Sequence, residues 1–245
     1  MKSASELKQI VKEKYGNLAR SGGCCGTGDQ QVCSPVGMGY SYEQLVSIPD
    51  QANLNVGCGN PTELAALDPG MVVLDLGAGA GIDVFLAARK VGPAGRVIGV
   101  DMTEAMVSKA RENARRAGIN NVEFRLGDIE NLPVEENSID VILSNCVINL
   151  APDKDRVFAE AYRVLRPSGR LQISDIVTRG TSEDLEHGDP RLWADCISGA
   201  LNREVYLAKL SGAGFRDIRI LQEFEYDAYK TDDFSVLSLS LTATK

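Results

Sequence analysis

The sequence predicts an α/β fold in which a mostly parallel sheet carries helices on both faces. Strand-like and helix-like segments alternate from Gly70 to about residue 178, at the spacing typical of parallel βαβ units. A glycine-rich turn follows the first strand, and acidic residues end three successive strands. These observations place a ligand site at the carboxyl edge of the sheet, where open α/β sheets bind their ligands.

Composition favours a small ligand over a charged polymer. The chain has 245 residues, 26 basic and 34 acidic, with a net charge of −8, which argues against nucleic acid or an anionic membrane as a partner. No apolar run approaches the ~18 residues of a membrane span, and the first residues lack a signal-peptide pattern. We therefore expect a cytoplasmic protein, in which the six cysteines stay reduced and serve metal binding or catalysis.

The N-terminal segment, residues 1–58, is predicted to be a helix followed by a cysteine-rich loop. Apolar residues at helical spacing predict a helix over residues 3–16, and Gly16 is expected to begin its end. The next segment, "ARSGGCCGTGDQQVCSPVGMGYS", is rich in Gly and Ser and has no periodicity, so it is predicted to be a loop. A short helix in "SYEQLVSIP" leads to a turn-rich segment, "ANLNVGCGNP".

Residues 59–178 carry the predicted ligand-binding domain. Its five predicted strands are "VVLDLG", "GRVIGVD", "VEFRLGD", "IDVILSN" and "LQISDIV". Helices are predicted between them; the second of these has Thr103 as a plausible N-cap and Gly118 just past its end. The fourth strand is followed by the helix "DRVFAEAYRVLR" and the breaker "PSGR".

Residues 179–245 form a predicted C-terminal addition. The segment "REVYLAKLSGAGF" is predicted to be a helix. Two extended runs, "RDIRILQEFEY" and "FSVLSLSLTAT", are expected to form an antiparallel pair at the sheet edge.

The segment "LDLGAGAGID" carries the strongest ligand signal. Glycines between a strand and its helix let the backbone turn sharply and approach a ligand. Asp101, at the end of the second strand, is suited to a ribose, and Asp128, at the end of the third, to an adenine amino group. The loop departs from the dinucleotide fingerprint, because Ile82 replaces its third glycine, and it lacks a P-loop lysine.

With "DMT" and "GDIENLP", this loop resembles the class I S-adenosylmethionine-dependent methyltransferases over roughly residues 60–180. The resemblance implies a Rossmann-like fold and S-adenosylmethionine as cofactor. It places the glycine loop under the methionine part, Asp101 at the ribose, and Asp128 and Ile129 beside the adenine. The implied cofactor-binding residues are Asp75, Gly77, Gly79, Gly81, Asp101, Met102, Asp128, Ile129 and Asn145.

Three cysteines lie in segments that can converge over the cofactor: Cys58 in a glycine-rich loop, Cys146 at the end of the fourth strand, and Cys196 after the fifth. Spacing alone favours unrelated buried cysteines, because no C-x-x-C pair is present. The single histidine, His187, stands in a polar segment and is predicted to be a surface residue.

The contexts of these cysteines, "NLNVGCGNP", "SNCVINLAPDK" and "ADCISGAL", together with the upstream "VKEKYG…CCG", resemble the arsenite S-adenosylmethionine methyltransferases over nearly the whole chain. The resemblance implies that Cys146 and Cys196 bind trivalent arsenic, with Cys58 as third thiolate or redox partner. It also implies an N-terminal cysteine that pairs with Cys58. Cys25 is our choice for that cysteine, with Cys33 as the alternative in a loop that also holds Cys24.

The implied activity, in Enzyme Commission class 2.1.1, is arsenite methylation in arsenical detoxification. Its expected partners are arsenite or its glutathione or other thiol conjugates, and a thiol reductant such as glutathione or a thioredoxin-like protein. Thiolates select soft arsenic(III), whose lone pair has no proton to lose. Two alternatives stay open: a methyltransferase for a small organic acceptor of the quinone or lipid-precursor type, and a non-catalytic metalloid or zinc sensor.

Overall fold

The computed structural model describes residues 3–21, 39–180, 199–227, 230–231 and 233–245. The helices are α1 (Ala4–Ser21), α2 (Tyr42–Val46), α3 (Pro61–Leu64), α4 (Ile82–Val91), α5 (Glu104–Ala117), α6 (Lys154–Val164) and α7 (Arg203–Gly212). The strands are β1 (Val72–Leu76), β2 (Arg96–Asp101), β3 (Val122–Leu126), β4 (Ile139–Asn145), β5 (Leu165–Gly180), β6 (Leu201–Asn202), β7 (Arg216–Glu225) and β8 (Phe234–Thr244).

The sheet confirms the predicted fold class. Its order is β3-β2-β1-β4-β5-β8-β7, with β6 paired to β5 off this path. Strands β1 to β5 pair in parallel, whereas β8 is antiparallel to both β5 and β7, as expected of the two C-terminal runs. The chain moves from β1 to β2 on one side and later inserts β4 on the other. The crevice at the carboxyl ends of β1 and β4 is therefore the topological switch point of the sheet.

Two element boundaries differ from the expectation. Helix α1 continues through Gly16 to Ser21, because Leu18 and Ala19 extend its buried face. Strand β5 begins at Leu165, before the segment "PSGR" that was predicted to break the structure. Leu165 pairs with Ile139 and Arg170 with Val141, so the residues between Leu165 and Arg170 form an irregularity inside the strand. The predicted ends of α5 are confirmed in position: Thr103 is the N-cap residue, although its side chain makes no capping hydrogen bond, and Gly118 ends the helix at φ +64°.

Apolar side chains fill both faces of the sheet. On one face, Phe158 of α6 meets Tyr206 of α7 edge to face, with ring centroids 5.4 Å apart. On the other, Phe85 of α4 and Phe124 of β3 meet in the same way at 5.8 Å. The two apolar layers cover the faces of the sheet, and polar side chains converge at its carboxyl edge.

Helix α1 lies across that edge. It packs against α5, and its Val11 joins a separate apolar cluster with Cys58 and Leu150. Within the described ranges, no helix is long and apolar enough to cross a membrane.

Phe158→Ala tests the packing of α6 on the sheet. Phe158 is fully buried, so truncation leaves a cavity and is expected to lower the free energy of unfolding by about 3–5 kcal/mol. Phe224→Ala is the matched control, because Phe224 is 64% exposed, and its loss should change stability by less than about 1 kcal/mol. Urea unfolding followed by circular dichroism measures both; equal effects would contradict the assigned core.

Candidate active site

A concave pocket opens at the carboxyl ends of β1, β2 and β4, and α1 covers part of it. Most of the residues expected to bind the cofactor line this pocket, Gly81 being the exception. Val11 and Tyr15 of α1 line it as well, which makes its wall largely apolar on that side. The expected cofactor residues from the carboxyl ends of four strands and from the loop after β1 are thereby brought together at one place.

Two positions of the β1–α4 loop require glycine for different structural reasons. Gly77 has φ +65°, and a Cβ there would lie 2.4 Å from Cγ2 of Val147, so the glycine allows the residue after Cys146 to approach β1. Gly81 has φ +102° and stands at the start of α4, where a Cβ would lie 2.7 Å from the ring of Phe85. Gly77 thus shapes the pocket, whereas Gly81 permits close packing behind it.

Asp101 connects the end of β2 to the glycine loop. Its carboxylate accepts hydrogen bonds from the backbone N–H of Gly79 at 3.0 Å and of Thr103 at 2.8 Å. These contacts fix the carboxylate beside the loop. Burial raises the pKa of Asp101, and the two N–H donors partly offset that effect.

Three carboxyl groups line the pocket: Asp75 and Asp83 are buried, and Asp101 is partly buried. Burial, followed by the charges of Asp83 and Asp101, raises the pKa of Asp75 well above its ordinary value. Burial also raises the pKa of Asp83, against the hydrogen bonds from Thr62, Asn145 and Tyr40. A cationic ligand relieves repulsion of this kind, so the site suits a positively charged molecule.

Asp128 lies at the expected adenine end of the pocket. Nζ of Lys8 on α1 forms ion pairs with Asp128 at 2.7 Å and with Glu130 at 2.5 Å. Reasoning from the sequence did not identify Lys8. The spacing of α1 shows which residues face the sheet but not which acid they meet.

Asn145 connects the Cys58 loop to the cofactor pocket. Its Oδ1 accepts from the backbone N–H of Cys58 at 3.0 Å, and its Nδ2 donates to the carbonyl of Gly59 at 2.8 Å. The same amide donates to the Tyr40 hydroxyl at 2.9 Å and to Asp83 at 3.2 Å. Tyr40 and Asp83 were not identified from the sequence, although Asp83 follows the glycine loop closely enough to have been considered.

Cys58 and Cys146 meet at the end of β4, where they form a disulfide with a Cα–Cα distance of 5.8 Å. The backbone N–H of Cys146 donates to the carbonyl of Ser174 at 2.8 Å, and Sγ of Cys58 lies 3.3 Å from the same oxygen. Cys146 has φ +60°, a strained conformation for a residue with a Cβ that tertiary contacts must maintain. Two of the three expected thiols are therefore adjacent.

The remaining cysteines and the histidine lie outside the described residues: Cys24, Cys25, Cys33, Cys196 and His187. In the structure the partner of Cys58 is Cys146, while the resemblance implied an N-terminal partner. The pairing with Cys25 stays a prediction, and so does the place of Cys196 as a ligand.

Asp175 of β5 is a further buried acid that the sequence reasoning did not identify. One of its carboxylate oxygens lies within 4.8 Å of the sulfurs of both Cys58 and Cys146. Burial raises its pKa to about 7, against hydrogen bonds that include that of Tyr206 and the charge of Lys154.

Comparison with known proteins gives a consistent family. A family model described as a methyltransferase domain matches residues 67–226. An arsenite methyltransferase from Halobacterium salinarum is 46% identical over 93% of this chain and 62% of its own length. An arsenite methyltransferase from Aquipseudomonas alcaligenes is 41% identical over 89% of this chain and 64% of its own length. The chain thus spans less than two thirds of the length of these relatives.

A solved structure is similar as well. The crystal structure of an arsenic(III) S-adenosylmethionine methyltransferase from Chlamydomonas reinhardtii matches with a TM-score of 0.71 at 35% identity. The match covers 84% of this chain and 71% of that one. The sequence and the fold therefore agree with one family.

Asp175→Asn tests the electrostatics of the cysteine region. In the folded chain the carboxyl group of Asp175 has a pKa of about 7. In the unfolded chain its pKa is ~3.9. The stability of the native chain therefore falls as the pH rises between these values, and the variant lacks this loss. We expect the free energy of unfolding of the variant, relative to the native chain, to rise by about 2–3 kcal/mol from pH 5 to pH 8.

The measurement is urea unfolding at both pH values without reductant, since the disulfide-bonded cysteines then do not titrate. Tyr206 stays protonated in this range, because burial and Asp175 raise its pKa above the ordinary value. Parallel stability profiles for the two proteins would contradict the assignment.

Proposed function

Since the chain belongs to the arsenite S-adenosylmethionine methyltransferases, within the wider methyltransferase family, we propose that it methylates thiolate-bound trivalent arsenic. The observation that carries the proposal is the meeting of Cys58 and Cys146 at the end of β4, beside the glycine loop. The pocket gives a place for a methyl donor, and the two sulfurs give a place for the acceptor. The proposed substrate is arsenite or its conjugate with glutathione or another thiol.

S-adenosylmethionine, the cofactor of the family, fits the residues present. It carries a sulfonium and an ammonium group, which suit a pocket bordered by Asp75, Asp83 and Asp101. Gly77 allows Val147 to approach β1 and so shapes the wall of this pocket. We assign the ribose to Asp101 and Met102, and the adenine to Asp128 and Ile129. Asp75 and Gly79 line the methionine end, and Gly81 supports the loop from behind.

Asn145 acts, in this proposal, mainly as a positioning residue. All the polar atoms of its side chain are engaged by the Cys58 loop, Tyr40 and Asp83. It lines the pocket at the same time. The amide thus holds the Cys58 thiol at a fixed place relative to the cofactor.

The chain contributes binding, orientation and exclusion of water. When bound, S-adenosylmethionine would supply the methyl group to the arsenic lone pair, and the positive charge of the sulfonium would pass to arsenic. Val11, Leu150 and Ile176 surround Cys58 with apolar atoms, and a dry site favours a transition state in which this charge is spread over two atoms. No general base is required for this acceptor, and positioning by the thiolates is expected to supply most of the acceleration.

The other cysteines complete the proposal. Cys196 is proposed as a third arsenic ligand, and Cys25, or alternatively Cys33, as the residue that pairs with Cys58 after turnover. A dithiol that becomes a disulfide supplies two electrons, which suffice to return methylated arsenic to the trivalent state. A small thiol or a thioredoxin-like reductant would then restore the thiols.

Asp101→Asn is expected to weaken cofactor binding. The change removes a buried charge and one of two acceptors for the N–H groups of Gly79 and Thr103. We expect the Kd for S-adenosylmethionine to rise roughly 10- to 100-fold, the size of one buried hydrogen bond to a charged group. Isothermal titration calorimetry on the reduced chain measures it, and an unchanged Kd would remove Asp101 from the cofactor site.

Cys146→Ser separates the arsenic acceptor from a small organic acceptor. Serine oxygen is a poor ligand for soft arsenic(III), so arsenite methylation should fall at least about 100-fold while S-adenosylmethionine still binds. The assay follows methylated arsenic products by speciation, with cofactor affinity measured alongside. Retained arsenite methylation would overturn the proposed site. An absence of turnover in the native chain after zinc has been removed, together with tight binding of one zinc ion, would favour a sensor.

A further inference from the structure

A buried acid stands beside the two cysteines without a part in the methyl transfer. Asp175 is 1% exposed, and one of its carboxylate oxygens and the sulfurs of Cys58 and Cys146 all lie within 4.8 Å of one another. The three side chains come from the loop before α3, the end of β4 and the middle of β5, so tertiary structure alone brings them together. Two sulfurs and one oxygen at this separation form the larger part of a four-coordinate metal site.

Three neutral hydrogen-bond donors contact Asp175. Nδ2 of Asn149 donates to it at 2.9 Å, the backbone N–H of Ile176 at 3.0 Å, and the hydroxyl of Tyr206 at 3.1 Å. Donors of this kind fix the direction of a carboxylate without neutralising it, as the supporting hydrogen bonds of metal ligands do. Lys154 acts on Asp175 through its charge, while Nζ of Lys154 donates to the carbonyls of Asn149 and Ala151.

We propose that Cys58, Cys146 and Asp175 bind a thiophilic divalent cation of the Zn²⁺ type once a thiol reductant, itself oxidised to its disulfide, has reduced the Cys58–Cys146 disulfide to two thiols. Zinc accepts thiolate and carboxylate ligands together, at about 2.3 Å for sulfur and about 2.0–2.2 Å for oxygen. Ligand atoms of such a tetrahedral site are roughly 3.5–4 Å apart, so small side-chain shifts after reduction satisfy the geometry. Water or one further side chain completes the fourth position.

The carboxylate distinguishes this cation from arsenic. Arsenic(III) is soft and favours sulfur, whereas zinc is borderline and binds oxygen well. Loss of Asp175 therefore weakens zinc binding more than arsenic binding. A cation on Cys146 occupies a thiolate that the proposed transfer requires, so zinc acts as an inhibitor that competes with arsenite. The inhibition rests on the proposed function; the binding of zinc does not.

The first experiment titrates Zn²⁺ into the reduced 245-residue chain in competition with a chromogenic chelator. The native chain is expected to bind one zinc ion, and Asp175→Asn to bind it at least about tenfold more weakly. Asp140→Asn is the matched control, because Asp140 is a partly buried acid of the same sheet, ion-paired with Arg166, and should leave zinc affinity unchanged. Equal zinc affinity in the native chain and both variants would overturn the proposal, as would no zinc binding by the native chain.

The second experiment uses the native chain alone and does not depend on the folding of a variant. X-ray absorption at the zinc edge is expected to show two sulfur ligands at about 2.3 Å and oxygen or nitrogen ligands at about 2.0–2.2 Å. Three or four sulfurs and no oxygen would overturn the role of Asp175. Arsenite turnover, measured separately with zinc chelated, shows whether the proposed function fails on its own.

Discussion

The side-chain amide of Asn145 is the contact on which the site depends. Asn145 ends β4, and its hydrogen bonds hold the backbone on both sides of Cys58. The same amide reaches Tyr40 and Asp83, so the cysteine loop and the start of α4 share one buried network. Because such networks have fixed donors and acceptors, they define one arrangement of the groups they join. Cys58 is therefore placed next to Cys146 by hydrogen bonds as well as by packing.

Burial and repulsion between acids both disfavour the charged carboxylates at this edge of the sheet. Burial of Asp75, Asp83, Asp101 and Asp175 raises the pKa of each, which is unfavourable for a folded chain without a cation. Perturbed acids of this kind cluster at functional sites. A cationic cofactor explains the first three, and a divalent cation beside the thiols would explain the fourth. Helix α1 adds the positive charge of Lys8 at the adenine end.

The sequence predicted most of the fold, for a reason that particular elements show. The apolar runs of β1, β2 and β4 are short and bounded by turns, so their burial in a parallel sheet follows from pattern alone. The same pattern was less reliable at boundaries. Gly16 did not end α1, because buried contacts of Leu18 and Ala19 outweigh the low helix propensity of glycine.

Local sequence patterns were enough to predict the strands, the glycine loop, the strand-end acids and the family, since each motif consists of residues that are close along the chain. The three-dimensional structure was needed to show which distant residues meet. Cys58 and Cys146 are 88 residues apart, Lys8 and Asp128 are 120 apart, and Asp175 joins the cysteines from a different strand. Such pairs depend on strand order, helix packing and side-chain direction together. The spacing of residues along one chain does not specify these three properties.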